Sequence, residues 1–84
     1  MLSDLERELA QEFYRQFEEK PLEVLVEREH ESKSGLVRGT DRRYIPVEVP
    51  GTSAEIGRLV SASGVQAHRN YLTAIRRGGR SGTV

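Results

Sequence analysis

The spacing of apolar residues changes once in this chain, and it changes at a proline. Leu5, Leu9, Phe13 and Phe17 recur every four residues, with Leu2, Ala10 and Tyr14 flanking the same stripe. Beyond Pro21 the interval drops to two: Leu22, Val24 and Val26 alternate with Glu23 and Glu27. The first spacing is one face of a helix and the second is one face of a strand. A chain with this switch has to carry a helix leading into a sheet. Ser3 followed by Glu6 fits a capping box that opens the helix. Pro21 closes it, because proline disfavours helical geometry at the preceding Lys20. The pattern predicts an amphipathic helix of about five turns over residues 1–20. Its stripe either packs on the barrel that follows or docks Phe13 and Phe17 on a neighbouring domain.

The remainder reads as short strands separated by turn residues. Leu25 interrupts the first strand's alternation, so both of its faces are expected to be partly covered. His30 to Gly35 is a polar hairpin turn, followed by a short strand through Leu36 and Val37 and a bend or bulge at Gly39. Arg42 to Val49 is predicted as the next strand. Ile45, Val47 and Val49 point to the core, while Arg42, Tyr44, Pro46 and Glu48 point outward. Pro50 to Ser53 turns, Ala54 to Ile56 makes a single helical turn, and a fourth strand starts at Arg58. Val65 to Asn70 continues as strand or turn, and Tyr71 to Ile75 closes the sheet. The fold class expected is mainly β: a small five-stranded antiparallel barrel, OB-like or SH3-like, preceded by one helix. Residues 21–77 form the barrel and residues 78–84 a flexible basic tail without apolar periodicity.

Eighty-four residues make one small domain whose single core leaves little room for a deep catalytic pocket. With no cysteine, disulfides, zinc–cysteine sites and iron–sulfur ligation within the chain are excluded. No apolar run approaches a membrane span and the first residues do not resemble a secretory signal, so a cytoplasmic location is expected. The zero net charge is unevenly laid out. Residues 1–32 carry ten acids against four bases, and residues 33–84 carry nine bases against three acids. A basic second half attracts polyanions locally if its cations share a face.

No catalytic constellation emerges. His30 and His68 lie far apart without metal-ligand spacing and read as surface or turn residues. The serines lack a nucleophile elbow, and the glycines lack phosphate-loop spacing. The stronger signal is Arg42-Arg43-Tyr44, two cations beside a stacking platform. Small barrels hold unpaired RNA in this way, with aromatic and guanidinium planes on bases and cations on phosphates. Lys33, Arg38, Arg58 and Arg69, with Tyr71 as a second aromatic, extend that surface if the strands neighbour one another. The plainer alternative has Tyr44 sealing the barrel end while the arginines stay solvated.

Several segments together carry a family resemblance. Leu-Glu-Val-Leu-Val-Glu (22–27), Leu36-Val37 with Gly39, Tyr-Ile-Pro-Val-Glu-Val-Pro-Gly (44–51) and Gly-Arg-Leu-Val (57–60) resemble a TRAM domain. This is the RNA-binding barrel at the C-terminus of radical-SAM tRNA methylthiotransferases, and the threonylcarbamoyladenosine-modifying branch is the most similar. The resemblance covers roughly residues 10–62. It departs at Gly39-Thr40-Asp41, where the family tends to have Gly-x-Thr-x-x-Tyr. The resemblance implies a non-catalytic domain that helps present tRNA to a catalytic domain not contained in this chain. Iron–sulfur clusters and S-adenosylmethionine would belong to that parent enzyme, and none of its cofactors to these residues. The expected partners are tRNA and that catalytic domain, with the isolated chain a monomer. The competing expectation is a protein-interaction or oligomerisation module that uses the helix stripe.

Overall fold

The computed structural model describes residues 3–77, so Leu2 and the predicted tail at 78–84 lie outside the described residues. One helix, α1 (Asp4–Arg15), precedes five strands: β1 (Pro21–Glu29), β2 (Leu36–Asp41), β3 (Pro46–Pro50), β4 (Leu59–Ala67) and β5 (Leu72–Arg76). A short 3-10 turn, Ser53–Glu55, joins β3 to β4.

The capping box forms as the sequence predicts. Ser3 accepts from the Glu6 amide at 3.2 Å, and Glu6 accepts from the Ser3 amide at 2.8 Å. The Glu6 carboxyl is held below the usual carboxylate range, first by its bond from the Ser3 backbone. The helix is shorter than predicted, twelve residues, and it stops at Arg15 rather than at Lys20. Residues 16–20 have a tertiary partner that outbids further helix. Glu18 bridges to Gly64, the Glu19 amide donates to the Gly64 carbonyl at 2.7 Å, and the Gly64 amide donates to the Lys20 carbonyl at 3.0 Å. A Cβ at Gly64 would collide with the Phe17 carbonyl oxygen, so only glycine lets the chain pass this close.

The strands close in the order β1-β2-β3-β5-β4, with β4 returning to β1. The barrel is mixed, not antiparallel as the sequence suggested. Four of the five ladders are antiparallel, and β3 runs parallel to β5 through Val47–Leu72 and Glu48–Thr73. The reason is parity. Direction alternates around an antiparallel ring, and an odd number of strands cannot close without one parallel pair.

Alternation delivers the core as expected. Leu22, Val24, Val26, Val37, Ile45, Val47, Val49, Val60 and Leu72 are buried inside, with Ala62, Ala67 and Ala74 where the wall is thin. Tyr14 and Phe17 pack against this core from the helix side. The stripe is therefore divided. Phe17 joins the domain's own barrel, while Leu5, Leu9 and Phe13 stay 65%, 58% and 42% exposed.

Gly39 sits inside β2, and the bulge forecast there lies across the ladder in β1. Val26 faces Gly39 and Arg28 faces Arg38, which leaves Glu27 as the extra residue. The predicted strand at Arg42–Ile45 is instead a tight turn. The Tyr44 amide donates to the Asp41 carbonyl at 2.7 Å, and the Asp41 amide donates to the Ile45 carbonyl at 3.0 Å. Tyr44 closes it with φ +65°, the left-handed residue that a three-residue hairpin loop requires. Asp41 nucleates the turn, its Oδ1 accepting from the Arg43 amide at 3.0 Å.

Candidate functional site

The β1 bulge shapes a concavity beside β2 and β3. Successive strand residues normally face opposite sides of a sheet. Here Glu27 and Arg28 both line one cavity of about 470 Å³ that spreads over the outer face of β2 and β3. Arg38 and Thr40 from β2, Glu48 from β3 and Tyr71 from the β4–β5 loop complete its walls. The Arg38 guanidinium lies 5.7 Å from the Tyr71 ring centroid, and His68 stacks on the same ring at 4.6 Å and 14°.

A polar chain runs beneath Arg38. The amides of Ser32 and Lys33 both donate to His30 Nδ1 at 3.1 Å. Two incoming donors assign the lone pair to Nδ1 and the ring hydrogen to Nε2. His30 Nε2 therefore donates to Glu48 Oε2 at 2.9 Å, and both side chains are only 10% exposed. This bond fastens the β1–β2 loop to β3. Arg38 Nη2 also approaches His30 Nε2 at 3.3 Å, but there a donor faces a donor. Its ion-pair partners are the carboxylates of Glu48 at 3.8 Å and Glu31 at 3.7 Å. Arg38 Nε is buried with no acceptor among the described residues. Glu31 also takes Arg28 Nη1 at 2.8 Å. Its own backbone amide, and after it the Arg28 guanidinium, hold the Glu31 carboxyl below the usual range.

The seven cationic and aromatic residues singled out from sequence divide between four places. Arg38 stands in the cavity wall. Lys33 lies in the β1–β2 loop and Arg69 in the β4–β5 loop, the loops that also carry His30 and Tyr71, and Arg69 pairs with Asp4 of α1 at 3.6 Å. Arg58 is on the β4 side of β1, where its carbonyl accepts from the Val26 amide at 2.9 Å. Arg42, Arg43 and Tyr44 are on the β2–β3 turn, so the strand pleat does not place Arg42 beside Tyr44. Arg42 pairs with Glu23 at 2.6 Å. Arg43 pairs with Asp41 at 3.0 Å and covers the Phe17 ring at 4.9 Å. Tyr44 projects alone, 88% exposed, and does not seal the barrel end. Arg42 and Arg43 share a second, smaller depression with Arg77.

Sequence reasoning missed Glu27, Arg28, His30 and Glu48. His30 is no simple surface residue, and His68 is the backing plane of Tyr71. Glu48 was expected to face outward; its side chain does lie on that face but is covered by His30 and Arg38. Only the bulge could have revealed Glu27 and Arg28 together, and the residues of β1 carry no mark of it. Among the described residues, no group of three or more His, Asp or Glu side chains is placed to hold a metal ion, and no helix is long and apolar enough to cross a membrane. No protein-family model and no curated protein matches this chain.

Proposed function

We propose that this chain is an RNA-binding module that grips looped or single-stranded tRNA segments across the β2–β3 face. The observation that carries this reading is the cavity that unites Arg28, Arg38 and Tyr71 between loops bearing Lys33 and Arg69. A backed aromatic ring next to guanidiniums supplies a base-stacking platform and phosphate contacts together. The single parallel ladder supports the OB-like over the SH3-like alternative, and OB-type barrels bind oligonucleotides on this face and its flanking loops. Together with the TRAM-like segments, these features favour a tRNA-presenting appendage of a methylthiotransferase. In that reading the chemistry, with its iron–sulfur clusters and S-adenosylmethionine, belongs to a catalytic domain outside this chain. Arg42, Arg43 and Tyr44 are a secondary contact, because they stand on the β2–β3 turn and do not line the cavity that holds Tyr71.

Titration of a labelled anticodon stem-loop, followed by fluorescence anisotropy at several salt concentrations, tests this. Tyr71→Ala is expected to weaken binding about tenfold by removing one stacked base. Arg38→Ala is expected to lower the salt slope by about one unit. Unchanged affinity and slope in both variants would overturn the assignment.

The exposed row Leu5, Leu9 and Phe13 favours a second reading, in which α1 docks a partner or a second copy and the barrel is scaffold. Sedimentation of the isolated chain decides between them. A tight dimer that ignores RNA and dissociates on Leu9→Glu supports docking, whereas a monomer that shifts with tRNA supports the RNA role.

A further inference from the structure

The β2–β3 cavity holds more than a generic RNA groove needs. A face that only tracks a polyanion has no use for an unneutralised carboxylate, yet Glu27 lines the cavity wall. The cations near it are committed elsewhere: Arg28 binds Glu31, and Arg38 lies between Glu31 and Glu48. Among the described residues Glu27 forms no ion pair. Among them its one side-chain hydrogen bond comes from the Thr40 hydroxyl, which donates to Oε1 at 3.1 Å and orients the carboxylate. The bulge sets this acceptor next to Arg28, within a cavity that also holds the Tyr71 ring.

We propose that Glu27 reads the edge of a base stacked on Tyr71, and that it selects guanine. The proposal rests on the RNA reading above and names the base for that same site. An ionised carboxylate only accepts, so whatever it binds must donate. In RNA the donors are base edges and the ribose 2′-hydroxyl. Guanine alone presents two adjacent donors, N1–H and the N2 amine, which match the two oxygens of one carboxylate. Adenine and cytosine each pair a single amine with an adjacent ring acceptor. Uracil offers one N–H flanked by two carbonyls, both repelled by the anion. Arg28 lines the same cavity, where a phosphate of that nucleotide would compete with Glu31 for its guanidinium. Thr40 acts as a positioning residue, since its hydroxyl touches only the carboxylate.

The experiment compares three short labelled RNAs against the full chain by fluorescence anisotropy: an oligouridylate, the same strand with one central guanosine, and the same strand with inosine at that position. Guanosine is expected to tighten binding about tenfold over uridine, and inosine, which lacks the N2 amine, to lose most of that gain. Loss of the gain with inosine also separates base reading from contact with the 2′-hydroxyl, which all three strands share. Glu27→Gln sits on the surface, leaves the core intact and should erase the guanosine preference over oligouridylate. Thr40→Val should reduce the preference in part. A guanosine preference that survives Glu27→Gln overturns the inference, as does an equal tightening for all three RNAs, which would mark Glu27 as mere repulsion. Binding of all strands without any preference overturns this inference alone. Failure of every RNA to bind overturns the RNA reading and the inference with it.

Discussion

Gly39→Val is expected to leave a chain without a cooperative thermal transition. An added Cβ at this position would occupy the space of the Leu25 carbonyl oxygen and come within 2.8 Å of the Leu25 carbonyl carbon and of Val24 Cγ1. The obstacle is chiefly backbone of the neighbouring strand, which cannot swing aside as a flexible side-chain end can. Relief requires β1 and β2 to part where the bulge already thins their ladder. Overpacking of this kind costs about 3 kcal/mol or more. A domain of this size holds roughly 4–12 kcal/mol in total, so valine consumes much or all of the margin. Gly39→Ala should be milder but still lower the melting temperature by several degrees, or about 4–8 °C per kcal/mol lost. Circular dichroism during heating measures both. A valine variant that melts like the parent would mean that the strands are not as close as described.

Asp41→Ala is the second large loss, for a different reason. The Asp41 side chain is fully enclosed, yet every contact it makes is to a donor. Oδ2 accepts from the Glu23 amide at 3.3 Å, and Oδ1 accepts from the Arg43 amide and Arg43 Nη1, both at 3.0 Å. Alanine strands two backbone donors and a guanidinium, at an expected cost of about 2–4 kcal/mol. The damage should extend beyond the turn, because Arg43 is also the cation over Phe17. Asp41→Asn, which keeps an acceptor oxygen, should recover part of the loss. Urea denaturation gives the difference directly, and a loss below about 0.5 kcal/mol for alanine would refute the enclosed network.

Much of this architecture was legible because burial is periodic. The core positions of β1, the alternation of Ile45, Val47 and Val49, the capping box and the closing strand at Leu72 all follow from side-chain alternation and local hydrogen bonding. The departures share a cause, which is that a distant or unusual partner decided the outcome. Helix periodicity ran on through Phe17, but Gly64 offered residues 16–20 a backbone partner. Arg42 to Tyr44 looked like strand because tyrosine is a poor advertisement for a left-handed turn position. The overlooked signal was Asp41, an aspartate well suited to bond the backbone two residues on. The candidate site was the least legible part. Arg38 could be picked out, but the grouping with Glu27, Arg28, His30 and Glu48 depends on a one-residue bulge and a loop anchored by a histidine ring.

One residue of β4 carries a consequence for all of this. The Ala67 carbonyl accepts from Gln11 of α1 at 3.2 Å, and its amide donates to Glu18 just past the helix at 2.8 Å. Two positions further on, Arg69 reaches back to Asp4. Gln11 and Asp4 of the helix, with Glu18 just past it, thus hold the β4 side of the loop that presents Tyr71. A partner that covered Leu5, Leu9 and Phe13 would act on that loop through Gln11 and Asp4 and so raise its affinity for RNA. By linkage, RNA held on Tyr71 would strengthen the helix's grip on its partner by the same factor. Protein docking and RNA binding, posed above as rivals, would then be two ends of a single lever whose fulcrum is Ala67.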